Sequence, residues 1–171
     1  MAWYDDIVEC LAVQEISLVT YVPDSSLDRV VTLLEKSSWC EVVHATREEE
    51  AVGIAAGAYA AGLRASTFMQ SSGLGNCIGA LTSLCIPYRI PLPLFMNLRG
   101  DLDEEIPVQI LMGRSARPIL DTIGIPNFAV DKTDEVLPKT LGALKLCYAS
   151  RNPVAICLTR QLHGGKTLGT V

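Results

Sequence analysis

Strand-length apolar runs alternate with segments of helical period along the whole of this chain, and no other feature narrows its fold so far. Residues 17–22, 41–45, 65–69, 91–98, 128–130 and 154–158 read as strands, the second and fifth of them short. Between them, residues 3–14, 47–61, 74–85, 115–123 and 134–149 read as helices, as does a segment whose Leu27, Val30, Val31 and Leu34 follow an i, i+3, i+4, i+7 pattern. Asp24 and Ser25 are N-cap candidates for that segment, and Thr46 for the helix after it, which Gly62 ends. Pro87 stops the helix over 74–85.

Alternation of this kind predicts βαβ units: an α/β, three-layer open sandwich around a mostly parallel sheet of about six strands. With 171 residues and an apolar fraction of 49%, the chain can build one core without disulfide or metal staples. The expected organisation is a single domain over 1–171, with an ordered core over about 3–160 and a loosely held tail over 161–171, rich in Gly and Thr. In such a sheet ligands bind at the carboxyl ends of the strands. The polar loops Pro23-Asp24-Ser25, Thr46-Arg47-Glu48, Gln70-Ser71-Ser72-Gly73 and Asn97-Leu98-Arg99-Gly100 should therefore converge on one rim.

Several function classes are disfavoured at once. A formal charge of −5 argues against a general phosphate-backbone binder, so no nucleic-acid partner is expected. The longest uncharged stretch, 65–88, is broken by polar residues and glycines, so no membrane span is expected, and the acidic start lacks the basic lead of a secretory signal. A cytoplasmic location follows. The six cysteines include no C-x-x-C pair, and His44 and His163 have no cysteine at ligand spacing, so the thiols are expected reduced and no metal ligand is assigned. Because only 19% of residues are charged and the mean hydropathy is +0.30, some apolar surface is expected to be covered by a partner.

Three familiar motifs fail on spacing. Gly73, Gly75 and Gly79 follow a strand, but the third glycine comes one residue late for a dinucleotide fingerprint. Gly165-Lys166-Thr167 lacks the glycine a P-loop needs five positions earlier, where Arg160 stands. Ser71 and Ser72 lie in no G-x-S-x-G elbow. His44, near a predicted strand end, reads either as a structural residue or as one that faces the rim.

What remains is Glu48-Glu49-Glu50 opening a helix of small and apolar residues, Ala51 to Ala60. Such a helix should be buried, so at least one acid at its mouth must face something specific. Tyr21-Val22-Pro23-Asp24-Ser25, Arg47 to Gly57, Met69 to Asn76 and Asn97-Leu98-Arg99-Gly100 occur in that order. Together they resemble the pyrimidine-binding domain of thiamine-diphosphate-dependent 2-oxo acid decarboxylases, and within them the sulfopyruvate and phosphonopyruvate decarboxylases. The resemblance covers nearly the whole chain.

The resemblance implies a cofactor-activating glutamate at Glu48, five residues before Gly53 in the family's E-x-x-x-x-G helix, with Glu49 and Glu50 on the helix surface or at an interface. In the family this carboxyl bonds N1′ of the aminopyrimidine and promotes the imino tautomer that takes the thiazolium C2 proton. Gln70, Ser72, Gly73, Leu74 and Asn76 would surround the pyrimidine, while Pro23, Asp24, Ser25, Gln70, Asn97 and Arg99 would line the substrate. Arg99 suits a sulfonate or phosphonate through paired donors, or else forms a salt bridge with Asp101, Asp103 or Glu104. The family also holds the diphosphate and Mg2+ with a G-D-G motif, and no Gly-Asp-Gly occurs here. The cofactors implied are thus thiamine diphosphate and Mg2+, the metal held by a diphosphate-binding beta subunit that carries the motif. A heteromer is implied, containing paired copies of this chain and inactive without its partner. Its substrate would be an anionic 2-oxo acid: 3-sulfopyruvate, giving sulfoacetaldehyde and carbon dioxide, or phosphonopyruvate. A rival reading makes the chain a non-catalytic regulatory or scaffold subunit that uses its acidic helix as an interface.

Overall fold

The alternation resolves into six parallel strands in the order β2-β1-β3-β4-β6-β5. The computed structural model describes residues 2–102 and 104–164. The strands are β1 (Ile16–Tyr21), β2 (Glu41–His44), β3 (Arg64–Gln70), β4 (Pro93–Asn97), β5 (Asn127–Val130) and β6 (Val154–Leu158). The helices are α1 (Trp3–Val13), α2 (Asp28–Glu35), α3 (Glu48–Ala60), α4 (Leu74–Ala80), α5 (Pro107–Thr122), α6 (Thr133–Ser150) and the short α7 (Arg160–His163). Because the chain steps from β1 outward to β2 and then returns to β3 on the other side, the sheet has a switch point between β1 and β3. A crevice opens at the carboxyl ends there.

Strand side chains alternate between two apolar layers, as a period of two requires. Leu18, Met69, Leu94, Met96 and Cys157 face α3, α4 and α5, while Val19, Phe68, Phe95, Ile156 and Leu158 face α1, α2 and α6. Phe68 and Phe95 stack between neighbouring strands with centroids 4.5 Å apart. Helix α3 is tied to the sheet by Thr20, whose buried hydroxyl donates to the Ala51 carbonyl at 3.0 Å and lies 2.9 Å from the Thr67 hydroxyl. A buried hydroxyl must find partners, and these partners fix the height of α3 above the sheet.

Four expectations need correction. The segment after Asp24 becomes helical only at Asp28, because Asp24 accepts the Ser26 N–H at 2.8 Å and its carbonyl accepts that of Leu27 at 2.8 Å, which commits the intervening residues to a turn. Thr46 does not cap α3; Arg47 is the N-cap residue, and Glu50 reaches back to the Thr46 N–H at 2.7 Å. The small-residue helix α3 is buried on one side only, through Ala51, Val52, Ala55 and Ala56, while Gly53 and Gly57 are exposed. Helix α5 begins eight residues earlier than the sequence pattern suggests, since Val108, Ile110 and Leu111 lie exposed and so hide its helical period. The expected tail over 161–171 falls largely outside the described residues, and α7, beginning at Arg160, covers its first three positions.

Helix α5 approaches the β4–α5 loop through glycines. Gly100 adopts φ +74°, and a Cβ there would lie 2.5 Å from the Ile110 carbonyl oxygen. A Cβ on Gly113 would overlap the Arg99 carbonyl. Gly113→Ala should therefore lower stability by about 1–3 kcal/mol through overpacking, read as a lower urea midpoint. Gly142→Ala, in α6 with open space around it, should instead raise stability by about 0.5–1 kcal/mol.

Candidate functional site

All four polar loops emerge at the carboxyl end of the sheet. Gln70 and Asn97 end adjacent strands in register, and the loop after β1 lies across β3 from the loop after β4. The sheet therefore brings together residues far apart in sequence.

At the mouth of α3, half-buried Glu48 lies against Gly73, where a Cβ would collide with its side chain. Asn76, in the first turn of α4, donates to Glu48 Oε2 at 3.1 Å. No described residue donates to Oε1. Glu49 pairs with Arg47 at 3.4 Å on the surface, so of the three acids only Glu48 faces the loop after β3. Beneath it lies Cys77, whose thiol is pushed up to about 12 by burial and then by the charges of Glu48 and Glu49. That thiol stays protonated.

The second half of the rim is a buried polar cluster. Arg99 is 2% exposed, and its Nη2 donates to both Asp24 carboxylate oxygens, at 2.9 and 3.0 Å, and to the Ser26 hydroxyl at 3.1 Å. Asn97 Nδ2 donates to the same Asp24 at 3.2 Å, and the Arg99 N–H donates to the Ser71 hydroxyl at 3.2 Å. Burial alone would raise the Asp24 carboxyl, yet the Ser26 N–H and the Arg99 guanidinium together hold it below the usual carboxylate range. Arg99 Nε and Nη1 and Asn97 Oδ1 have no partner among the described residues. Buried donors and acceptors left open in this way carry a penalty that a bound polar group would relieve.

Around this cluster the β4–α5 loop is pinned by Glu104, whose side chain is 2% exposed. It accepts the N–H groups of Gly100 and Ile106, each at 3.1 Å, and pairs with Arg160 of α7 at 3.0 Å. His163 lies 3.3 Å from the Leu98 carbonyl, and burial, helped by the Arg99 charge, pushes its imidazole down to about 4.

The sequence-derived residues therefore divide. Glu48, Gly73 and Asn76 are in contact, as are Asp24, Asn97 and Arg99, with Gln70 between the two groups. Pro23, Ser25 and Ser72 are exposed, and the Leu74 side chain is fully buried in the core, which leaves only its backbone to offer a ligand. The partner of Arg99 is Asp24 rather than Asp101 or Glu104, while Asp103 lies outside the described residues. Sequence reasoning gave no site role to Ser26, Ser71, Arg160 or His163, and named Glu104 only as a possible partner of Arg99 rather than of Arg160. Ser71 stood inside a recognised segment, but nothing local distinguishes Glu104 from the other acids of its loop.

No family model matches the chain. Among curated proteins it is 38% identical to the sulfopyruvate decarboxylase subunit alpha of Methanococcus maripaludis, over 84% of this chain and 86% of that protein. It is 39% identical to the subunit of the same name from Methanocaldococcus jannaschii, over 88% and 89%. It is also 31% identical to the phosphonopyruvate decarboxylase of Streptomyces viridochromogenes, matching 85% of this chain but only 37% of that protein. Among solved structures, a 2-oxoglutarate:ferredoxin oxidoreductase from Magnetococcus marinus superposes with a TM-score of 0.73 at 16% identity, over 95% of this chain and 29% of that one. That likeness establishes the fold.

The buried groups predict two separate losses of stability in acid. Between pH 6.5 and about 4 the unfolded chain binds a proton at His163 that the folded chain refuses, so stability falls as pH drops through that window. Asp24 and Glu104, held below 3.8 and 4.5, keep their full contribution above those values and lose it only at lower pH. Urea midpoints measured against pH should lose the upper slope in His163→Gln and part of the lower slope in Asp24→Asn.

Proposed function

Because the chain belongs to the family of sulfopyruvate decarboxylase alpha subunits, we propose that it supplies the pyrimidine-binding half of a thiamine-diphosphate-dependent decarboxylase that converts 3-sulfopyruvate to sulfoacetaldehyde and carbon dioxide. The observation that carries this reading is the setting of Glu48, clamped by Asn76 through one oxygen, pressed against Gly73, and open at the other oxygen. The missing side chain at Gly73 lets the Glu48 carboxyl lie against the loop backbone, with Oε2 held by Asn76 and Oε1 left to accept from or donate to a ring nitrogen. When bound, thiamine diphosphate supplies the electron sink that takes up the pair left as carbon dioxide departs.

The chain's own residues then have separate tasks. Glu48 Oε1 would pair with the pyrimidine N1′, and Asn76 fixes the orientation of that carboxyl. Arg99 Nε and Nη1, otherwise unpaired, donate to the second anion of the substrate. Asp24 holds the guanidinium in place and cancels much of its charge, so the pair offers directed donors with little net field. A neutralised pair with two directed donors supports reading the second anion as a sulfonate, with phosphonopyruvate the alternative substrate to test.

The diphosphate and its Mg2+ are left to a second subunit, in keeping with the absence of Gly-Asp-Gly from this sequence and with the subunit names of the relatives. Carbon dioxide release from each acid, with thiamine diphosphate and Mg2+ present, should appear only when the chain is combined with that companion. In the combined enzyme Glu48→Gln should lower turnover by about 10²- to 10⁴-fold, while Glu49→Gln leaves it within about twofold. Full activity of Glu48→Gln would remove the catalytic role and favour a regulatory or scaffold subunit.

A further inference from the structure

The Arg99 guanidinium is held at one corner. All of its side-chain hydrogen bonds leave Nη2, two to the Asp24 carboxylate and one to the Ser26 hydroxyl, while Nε and Nη1 meet no described residue. A planar fork pinned at one nitrogen can still swing about it, so the aim of the two open donors is set by where the backbone delivers Arg99. Before Arg99 the chain is fixed by β6 and by the loop after β3. The Leu98 N–H donates to the Leu158 carbonyl at 2.8 Å, and the Arg99 N–H to the Ser71 hydroxyl at 3.2 Å. After it the chain turns through Gly100 at φ +74° and runs as a loop until α5 begins at Pro107.

Glu104 holds that second half. Its Oε2 accepts the N–H of Gly100, one residue beyond Arg99, and its Oε1 accepts the N–H of Ile106, the N-cap residue of α5, each at 3.1 Å. One carboxylate thus draws both ends of the loop together. Oε1 also takes the Arg160 guanidinium at 3.0 Å, in a pair whose Glu104 and Arg160 side chains are 2% and 6% exposed. Arg160 is itself anchored, because Thr159 before it donates to the Val130 carbonyl through both its N–H and its hydroxyl, each at 3.1 Å. The brace therefore runs from the end of β5, through Arg160 and Glu104, to the residue after Arg99. Burial alone would raise the Glu104 carboxyl, yet the Gly100 and Ile106 N–H groups and the charges of Arg160 and Arg99 hold it below its usual range. A dry ion pair seldom adds more stability than apolar packing of the same volume, and this one sits where it fixes a loop rather than a core.

We propose that Glu104, braced by Arg160, is a positioning residue that aims the open donors of Arg99 and so sets the affinity for the substrate's second anion. This rests on the proposed function for the meeting of Arg99 with that anion. Glu104 itself acts only by holding Gly100, and hence the Arg99 backbone, in place. In the proposed substrate the second anion lies across the oxo carbon from the departing carboxylate and keeps its charge through the reaction. A group that binds it contributes alike before and during the chemical step, so a misaimed Arg99 weakens binding and leaves turnover nearly unchanged.

The test uses the full chain combined with its companion. It reads KM and kcat for 3-sulfopyruvate, and the dissociation constant of 3-sulfopropanoate, which keeps both anions but lacks the oxo group. Glu104→Gln should raise KM and that constant by about tenfold or more, the scale of hydrogen bonds to a charged group, with kcat within about threefold. Glu104→Asp keeps the charge but is too short to reach all three donors, and should show the same split to a smaller extent even where Glu104→Gln fails to fold. Arg99→Lys keeps the pairing with Asp24 and loses the open donors. In that background Glu104→Gln should add less than about twofold, whereas a merely structural loosening would cost the same factor in both backgrounds. Glu135→Gln, which removes a carboxylate that likewise accepts a backbone N–H, from Asp131, and pairs with Lys139, should change none of these values. Equal losses in the two backgrounds, or a fall in kcat with binding unchanged, would overturn the positioning role alone. Unchanged KM and dissociation constant in Arg99→Lys would remove the substrate contact of Arg99 and the positioning role together. Binding of 3-sulfopropanoate with the expected pattern, but no carbon dioxide release from either acid, would uphold the positioning role and remove the decarboxylase reading.

Discussion

The buried Asp24–Arg99 pair holds the active end of this molecule together. Its partners leave β1 and β4, two strands that never touch, and they meet across the end of β3. Through Ser26, Asn97 and Ser71 the same pair engages the loops after β1 and β3 and the last residue of β4. A buried ion pair is a poor device for stability alone, since well-packed apolar side chains of similar volume serve as well or better. This one leaves two guanidinium nitrogens and an amide oxygen unmatched, which makes it poorer still. An arrangement of that kind is retained where the open groups are used, and on the proposed function the substrate's second anion uses them.

Sheet order explains why the two halves of the site lie side by side. The switch point between β1 and β3 opens the crevice, Thr20 sets the height of α3 above it, and Glu48 enters from the first turn of that helix. On the far side, Gly100 and Gly113 let α5 descend onto the loop that carries Arg99. Neither helix reaches the rim by its intrinsic propensity. Close contacts place them, a hydroxyl to a carbonyl for α3 and backbone against backbone at two glycines for α5.

Those contacts also mark what could be read in the sequence. The strands, their parallel sense and the convergence of four loops were legible because apolar period and turn residues are local signals. Glu48 could be picked out from Glu49 and Glu50 by resemblance, and the structure gives the physical difference: Glu49 turns to Arg47, Glu50 to the Thr46 N–H, and Glu48 to Asn76. The partner of Arg99 was not legible, because Asp24 lies 75 residues away and three nearer acids competed for it. Glu104 and Arg160, 56 residues apart, were hidden for the same reason. The start of α5 was lost for a different one. With Val108, Ile110 and Leu111 exposed and only Gly113, Ala116 and Leu120 buried, apolar identity did not mark the inward face of its first turns, so residues 108–114 were left unassigned.

The two sides of the rim are closed to different degrees. The polar groups of the rim are buried by α5, the β4–α5 loop and α7, so water is already excluded from one side of Arg99. On the side of Glu48 the carboxyl is half-buried and one oxygen is open. A carboxyl that must share a proton with a ring nitrogen works best where bulk water cannot compete for it. Among the described residues Asn76 holds Oε2 and no side chain donates to Oε1. On the proposed function the exclusion of water from that oxygen falls to the occupant of the site: the aminopyrimidine ring would displace water as it pairs with the open oxygen.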